Sequence, residues 1–134
     1  TVDWVEKYGS HELFGEGFLL SSALMDWFGD QYITGGKGPE SVPDGLTSAD
    51  PRMSPLRAED FSALPRAVIV TAGFDPLRDE GEAYAEALAA AGSEVLVRRF
   101  PDLIHGFASM SAVSPSARAA LVEIGGMLRV AVRS

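Results

Sequence analysis

The composition of this 134-residue chain is that of one globular domain, with 46% hydrophobic and 22% charged residues. Its net charge of −8, from 19 acidic and 11 basic residues, argues against a nucleic-acid partner, because phosphates are bound by clustered Lys and Arg. The absence of cysteine excludes disulfides and thiol nucleophiles and fits a cytoplasmic location, and no apolar run approaches the roughly twenty residues of a membrane span.

The first segment, residues 1–34, contains one predicted helix. Apolar residues recur in it at spacings of three and four, which is the pattern of a helix with one buried face. Ser21 or Ser22 can cap its start, and Gly35 and Gly36 would end it. The pattern predicts core positions, rather than a cofactor site, for its aromatic residues: Trp27, Phe28 and Tyr32.

The second segment, residues 35–65, is rich in Gly, Pro, Ser and Asp. These residues favour turns and interrupt helices and strands. The segment is therefore predicted to be a loop, and its length is typical of loops that are functional or flexible.

The third segment, residues 66–134, alternates between strand and helix patterns. The β-branched run "RAVIVTA", residues 66–72, is typical of a parallel strand buried on both faces. A helix follows, then a second strand, "EVLVRRF" at 94–100, a loop at 101–110 and a last helix at 115–133. One crossover helix between two strands predicts a right-handed parallel unit, and so an α/β fold.

Two residues with catalytic potential follow the predicted strands. Asp75 lies just past the first strand, and His105 lies in the loop after the second. Ligands of open α/β sheets bind at the carboxyl ends of the strands, and neighbouring strands are only about 4.8 Å apart. The order of acid before histidine matches the nucleophile-elbow hydrolases, in which the carboxylate orients a histidine that acts as the base.

The other charged residues near these two have simpler interpretations. An aspartate before proline is usually a turn residue, so Asp75 alone would indicate little. Arg78, Asp79 and Glu80 are expected to form a helix cap and salt bridges beside the turn, with Asp79 as the cap. His11, the only other histidine, is predicted to lie on the surface.

The sequence offers no pattern for a metal or a nucleotide cofactor. The two histidines are far apart in the chain, and no HExxH motif is present. No GxGxxG or GxxxxGK[ST] motif is present to bind phosphates. We therefore expect no metal and no cofactor.

Several stretches resemble the hormone-sensitive-lipase-like carboxylesterases of the α/β-hydrolase fold. They are "TAGFDPLRDEGEAYAEAL" and "RRFPDLIHGF", together with "LMDWFGDQYI" and "DPRMSPL" upstream. The resemblance covers most of residues 10–132 and corresponds to the C-terminal portion of such an enzyme. It implies that Asp75 is the acid and His105 the base of a catalytic triad. It also implies that the substrates are carboxylic esters of short or medium acyl chains.

Three neighbours of the triad residues are predicted to line the substrate pocket: Leu77, Ile104 and Phe107. The family's nucleophile lies in a G-x-S-x-G elbow and its oxyanion hole in an HGG loop, but no serine of this chain has glycine at both −2 and +2. The only His-Gly pair, His105–Gly106, belongs to the base loop. Residues 1–134 are thus expected to be the C-terminal segment of one catalytic domain, inactive alone and partnered by an N-terminal portion that carries the serine and the oxyanion hole.

Two alternatives stay open at this point. A prolyl-oligopeptidase-like peptidase shares the triad, although the motif "DPLRDEG" favours the esterase. A non-catalytic relic or binding module could keep the fold and lack the nucleophile.

Overall fold

The computed structural model describes residues 1–133. Four helices and two strands succeed one another as α1 (Gly9–Phe14), α2 (Ser22–Thr34), β1 (Ala67–Phe74), α3 (Arg78–Ala90), β2 (Val95–Ile104) and α4 (Pro115–Ala131). The two strands are parallel and α3 connects them, with Ala67 opposite Val95. The predicted α/β arrangement is confirmed. None of the helices in residues 1–133 combines the length and the apolarity that a membrane crossing requires.

The ends of α2 follow the predicted signals, but its aromatic residues are not in the core. The Ser21 side chain accepts a hydrogen bond from the Leu24 N–H, and Gly35 ends the helix in the left-handed conformation. The buried positions of α2 are Gly29 and Thr34. The prediction of core positions is wrong for Trp27, Phe28 and Tyr32, which are each more than half exposed, because α2 buries Gly29, against the Trp4 ring, and Thr34 instead.

Residues 35–65 form a loop with two short 3₁₀ turns, Pro39–Ser41 and Pro55–Arg57. The loop is bound to the start of the chain by backbone and side-chain hydrogen bonds. Leu56 N–H donates to the Val2 carbonyl at 3.0 Å, and the buried Ser54 hydroxyl accepts from the Trp4 N–H at 2.8 Å. These bonds place the first residues of the chain beside α2 and the loop.

Both strands are longer than the sequence pattern predicts. β1 continues to Phe74, and β2 continues through Pro101 to Ile104. The pairing becomes irregular between Ala72 and Phe74. A Cβ on Gly73 would lie 1.9 Å from the Pro101 carbonyl oxygen, so only glycine permits this close approach of the two strands.

The start of α3 corrects a second prediction. The residue before the helix is Leu77, and no side chain caps it. Asp79 lies inside the first turn, where its carboxylate accepts a hydrogen bond from the Ser10 N–H at 2.8 Å. Asp79 therefore joins α3 to α1 and is not the helix cap. The turn before the helix is closed instead by the hydrogen bond from the Leu77 N–H to Asp75 Oδ1.

The core lies between the sheet and α4. Its buried members come from both strands' C-terminal halves, the turn after β2 and the first turns of α4: Ala72, Phe100, Phe107, Ala117 and Ala120. The small alanines let the helix approach the strands closely, while the two phenylalanine rings lie 5.5 Å apart between centroids. This packing holds the C-terminal ends of both strands in place.

Candidate active site

Asp75 and His105 form a hydrogen-bonded pair at the carboxyl ends of the two strands. The distance between Asp75 Oδ2 and His105 Nδ1 is 3.0 Å. The His105 N–H also donates to the Phe74 carbonyl at 3.4 Å, which continues the pairing of the strands up to the site. The carboxylate is 14% exposed and the imidazole 35%, so the pair is half-buried and the ring remains accessible.

The second oxygen of Asp75 fixes the orientation of the carboxylate. Oδ1 accepts a hydrogen bond from the Leu77 N–H at 2.8 Å, which closes the turn between β1 and α3. An ionised carboxylate only accepts hydrogen bonds, so the Nδ1 that faces it carries the ring proton in the neutral imidazole. His105 Nε2 then has a lone pair and can accept a proton from another group.

A cavity of about 240 Å³ lies beside His105. Its apolar wall is formed by residues from the first segment and from the turn before α3: Trp4, Leu20, Met25, Phe28 and Leu77. Its polar wall is mainly acidic and contains Asp3, Glu6, Lys7, His11 and Asp26. The cavity therefore offers apolar space next to His105, whose Nδ1 contacts Asp75.

Of the three residues predicted to line a pocket, the structure places one in this cavity. Leu77 contributes to the wall. Phe107 instead packs in the core against Phe100, because the turn after β2 carries it back beneath α4. Ile104 is the last residue of β2, where it pairs with Phe74, and it does not line the cavity either.

His11 is not a surface residue, contrary to the sequence-based prediction. Its side chain is 9% exposed, and Nε2 lies 3.3 Å from Oε2 of Glu80, which is 1% exposed. His11 Nδ1 accepts a hydrogen bond from the Tyr8 N–H, so the proton of the neutral ring is on Nε2, the nitrogen nearer to Glu80. Glu80 also accepts the Val2 N–H at 2.6 Å. The pairing joins positions far apart in the chain, so no local pattern could reveal it.

The turn that carries Asp75 is braced by α1. The Ser10 hydroxyl donates to the Pro76 carbonyl at 2.7 Å, and the Ser10 N–H donates to Asp79. Arg78 binds Asp79 Oδ1 and also donates to the Gly73 carbonyl. Burial raises the pKa of Asp79, but the hydrogen bonds from Arg78 and Ser10 outweigh it and hold that pKa below its usual value.

A second ionic network is centred on Asp3, which lines the cavity. Arg57 donates from Nε to Oδ1 and from Nη2 to Oδ2 of Asp3, and the Tyr8 hydroxyl donates to Oδ2 at 3.0 Å. Burial raises the pKa of Asp3, yet the hydrogen bond from Arg57 and its other donors hold it below the usual range. Burial and the hydrogen bond to Asp3 raise the pKa of Tyr8 to about 12.

Within residues 1–133, no three or more His, Asp or Glu side chains are grouped as they would be around a metal ion.

Comparison with known proteins gives the family. A family model described as alpha/beta hydrolase fold matches residues 2–109. The chain belongs to the α/β-hydrolase fold family. Its similarity to the carboxylic ester hydrolase LipN of Mycobacterium tuberculosis is 43% identity over 128 residues, which is 96% of this chain and 32% of LipN. It is also 35% identical over 115 residues to the ethyl acetate hydrolase of Pseudomonas putida. This region is 86% of the present chain and 33% of that hydrolase.

Solved structures of esterases have the same fold over this region. A thermostable esterase from Pseudomonas putida superposes with a TM-score of 0.83 at 35% identity, covering 100% of this chain and 40% of that one. A thermostable carboxylesterase cloned from a metagenomic library superposes with a TM-score of 0.82 at 38% identity, covering 99% and 43%. The resemblance to carboxylesterases read from the sequence is confirmed, and the chain spans about a third of the length of these curated relatives.

Proposed function

We propose that this chain supplies the acid and the base of a serine-dependent carboxylic ester hydrolase. The observation that carries the proposal is the 3.0 Å contact between Asp75 Oδ2 and His105 Nδ1 at the carboxyl ends of adjacent parallel strands. This is the position at which α/β folds place their ligands. It is also the geometry of an acid that orients a catalytic base.

In the proposed reaction, His105 acts first as a base and then as an acid. Nε2 takes the proton from a serine hydroxyl while the serine oxygen attacks the ester carbonyl carbon. The tetrahedral intermediate collapses as Nε2 returns the proton to the leaving alkoxide, so an alcohol departs and an acyl-serine remains. Water, deprotonated by the same nitrogen, then releases the carboxylic acid and restores the serine.

The serine and the oxyanion donors are proposed to lie in an N-terminal portion outside these 134 residues. In the part of the chain that the structure describes, the side chain bonded to His105 is that of Asp75, and no serine hydroxyl shares the bond. The relatives named as esterases are about three times as long as the region they share with this chain. Residues 1–134 would then be one C-terminal segment of the catalytic domain, made of the helix-containing segment 1–34, the loop 35–65 and the α/β segment 66–134.

The proposed substrates are small carboxylic esters. Relatives are named carboxylic ester hydrolase, arylesterase and ethyl acetate hydrolase, which share ester hydrolysis and differ in the ester. The cavity beside His105 has an apolar wall that can receive an uncharged acyl or alcohol group.

The test compares the complete enzyme with the 134-residue chain. The complete enzyme is expected to hydrolyse p-nitrophenyl butyrate, and the 134-residue chain alone is expected to show only background hydrolysis. Hydrolysis by the chain alone that a serine-directed organophosphate abolishes would contradict the assignment of the nucleophile to another segment. A complete chain that folds and yet hydrolyses no ester would favour the non-catalytic alternative.

A further inference from the structure

A second apolar cavity, of about 260 Å³, lies next to the cavity of the proposed active site. It is formed between the end of α2 and the loop 35–65, and its wall contains Ile33, Val42, Leu46, Thr47, Ser48 and Met53 together with Trp4. Among the described residues, Trp4 is the one that lines both cavities. Trp4 therefore borders both the space beside His105 and a second apolar space.

Trp4 is held in place through its backbone and through its ring. The Trp4 N–H donates to the hydroxyl of Ser54, which is fully buried. The ring lies directly on α2 at Gly29, where a Cβ would come within 2.5 Å of the ring carbon Cζ3 and 2.6 Å of Cη2. Any other residue at position 29 would push the ring away, so a glycine in the middle of the helix is what admits the indole.

We propose that Trp4 sets the length of the alkyl chain that the enzyme accepts, by closing the second cavity to the substrate. The inference rests on the ester hydrolase function proposed above. The ligand is an unbranched alkyl chain, which could belong to the acyl or to the alcohol part of the ester. With the indole in place, the chain is confined to the space beside His105. Without it, a longer chain continues into the wall formed by Ile33, Leu46 and Met53.

The size of the effect follows from the burial of methylene groups. Each methylene removed from water improves binding about fourfold, so two or more additional buried methylenes correspond to at least tenfold. In the Trp4→Ala variant, we expect the ratio of kcat/KM for an octanoyl ester over a butyryl ester to rise by at least tenfold. The kcat/KM for short esters should stay nearly the same or fall, because these substrates lose contact with the ring.

The experiment uses the complete enzyme and two substrate series. The p-nitrophenyl esters from acetate to decanoate vary the acyl part, and the alkyl acetates from ethyl to octyl vary the alcohol part. The series in which the optimum moves to longer chains identifies the part of the ester that enters the second cavity. Trp27→Ala is the matched tryptophan control, because Trp27 is exposed and lines neither cavity. It should leave both profiles unchanged.

Two further variants separate an open cavity from a damaged fold. Trp4→Leu keeps apolar packing while it shortens the partition, and it should give a smaller shift in the same direction. Adding Leu46→Trp to Trp4→Ala refills the second cavity and should return the optimum to shorter chains.

Gly29→Ala displaces the indole without changing any residue of either wall, and it should also alter the profile. If Trp4→Ala or Trp4→Leu does not fold, as judged by circular dichroism, the chain-length profile of the folded Gly29→Ala enzyme tests the proposal.

The proposal is overturned if folded Trp4 and Gly29 variants keep the parental chain-length profile in both series. It is equally overturned if they lose activity uniformly at every chain length, because Trp4 would then be a structural residue only. These outcomes differ from a failure of the proposed function, in which the parental enzyme itself would hydrolyse none of the esters.

Discussion

Replacing Asp75 by asparagine changes one atom of the proposed acid and should remove almost all turnover. The new side chain keeps the size of the old one but has one oxygen instead of two. The Leu77 N–H at 2.8 Å can be satisfied only by that oxygen. The amide NH₂ group must then face His105 Nδ1, at the position that Oδ2 holds now, 3.0 Å from the ring.

This arrangement forces the wrong tautomer on His105. A facing N–H donor requires Nδ1 to be an acceptor, so the proton of the neutral ring moves to Nε2. A protonated Nε2 cannot take the proton of a serine hydroxyl. The same substitution in a serine protease lowers kcat about 10⁴-fold, which corresponds to about 5.4 kcal/mol of activation free energy, and we expect a loss of that order.

The fold should survive the substitution. Asp75 and His105 lie in turns beyond the strand ends, so no core cavity is opened. The turn keeps its hydrogen bond from the Leu77 N–H. The net change replaces one charge-assisted hydrogen bond between half-buried groups by a neutral one, which should lower the thermal midpoint of the complete enzyme by no more than a few degrees.

The assay measures kcat on p-nitrophenyl butyrate and the thermal midpoint for the complete enzyme and its variants. Asp102→Asn is the matched control, because Asp102 is an exposed aspartate three residues before His105 and should leave kcat unchanged. His105→Ala should be as inactive as Asp75→Asn. The reasoning is refuted if Asp75→Asn retains more than a few per cent of kcat, or if Asp79→Asn is inactive while Asp75→Asn is active.

Four further predictions concern stability. Gly73→Ala should lower the free energy of unfolding by more than about 2 kcal/mol in urea titrations, because its methyl group would meet the facing strand, whereas Gly126→Ala in open space on α4 should be neutral or stabilising. His11→Ala should lower the thermal midpoint clearly while kcat changes little, because the buried Glu80 carboxylate loses the imidazole that faces it. Asp79→Asn should likewise affect the midpoint more than kcat, since its carboxylate joins α1 to the turn before α3. The raised pKa of Tyr8, about 12, means that its contribution to stability is complete below pH 10 and is lost between pH 10 and about 12, a loss that Tyr8→Phe should remove from pH-dependent melting curves.

The fold of the second half could be predicted because its signals are local. The β-branched run before Asp75, one crossover helix and a second strand determine a parallel pair, and the pair brings Asp75 and His105 to the same edge. The ends of α2 followed from Ser21 and Gly35 for the same reason. Where a few neighbouring residues decide the structure, the pattern in the sequence was enough.

The errors occur where distant residues decide the structure. Asp79 has the sequence context of a helix cap, but Ser10, 69 residues away, recruits its carboxylate. His11 has no local partner and is buried because Glu80 lies across from it. β2 continues through Pro101 because the neighbouring strand supplies an irregular pairing at Gly73 that tolerates the proline.

The position of Trp4 in the lining of two cavities likewise could not be predicted from the sequence. It depends on Gly29 and Ser54, which lie 25 and 50 residues further along the chain. A tryptophan near the start of a polar segment gives no sign of such a role. Contacts of this kind define the shape of the cavity beside His105, whereas the residues proposed for the chemistry follow the strand ends.

The most direct test of the central claim is to find which serine reacts and which residues activate it. The complete enzyme is treated with a fluorophosphonate, and the labelled peptide is identified by mass spectrometry. We expect a single labelled serine outside residues 1–134, and a labelling rate that falls by orders of magnitude in Asp75→Asn and His105→Ala but not in Asp102→Asn. A labelled serine within residues 1–134, or a labelling rate that neither substitution changes, would contradict the proposal that Asp75 and His105 activate a nucleophile supplied by another segment.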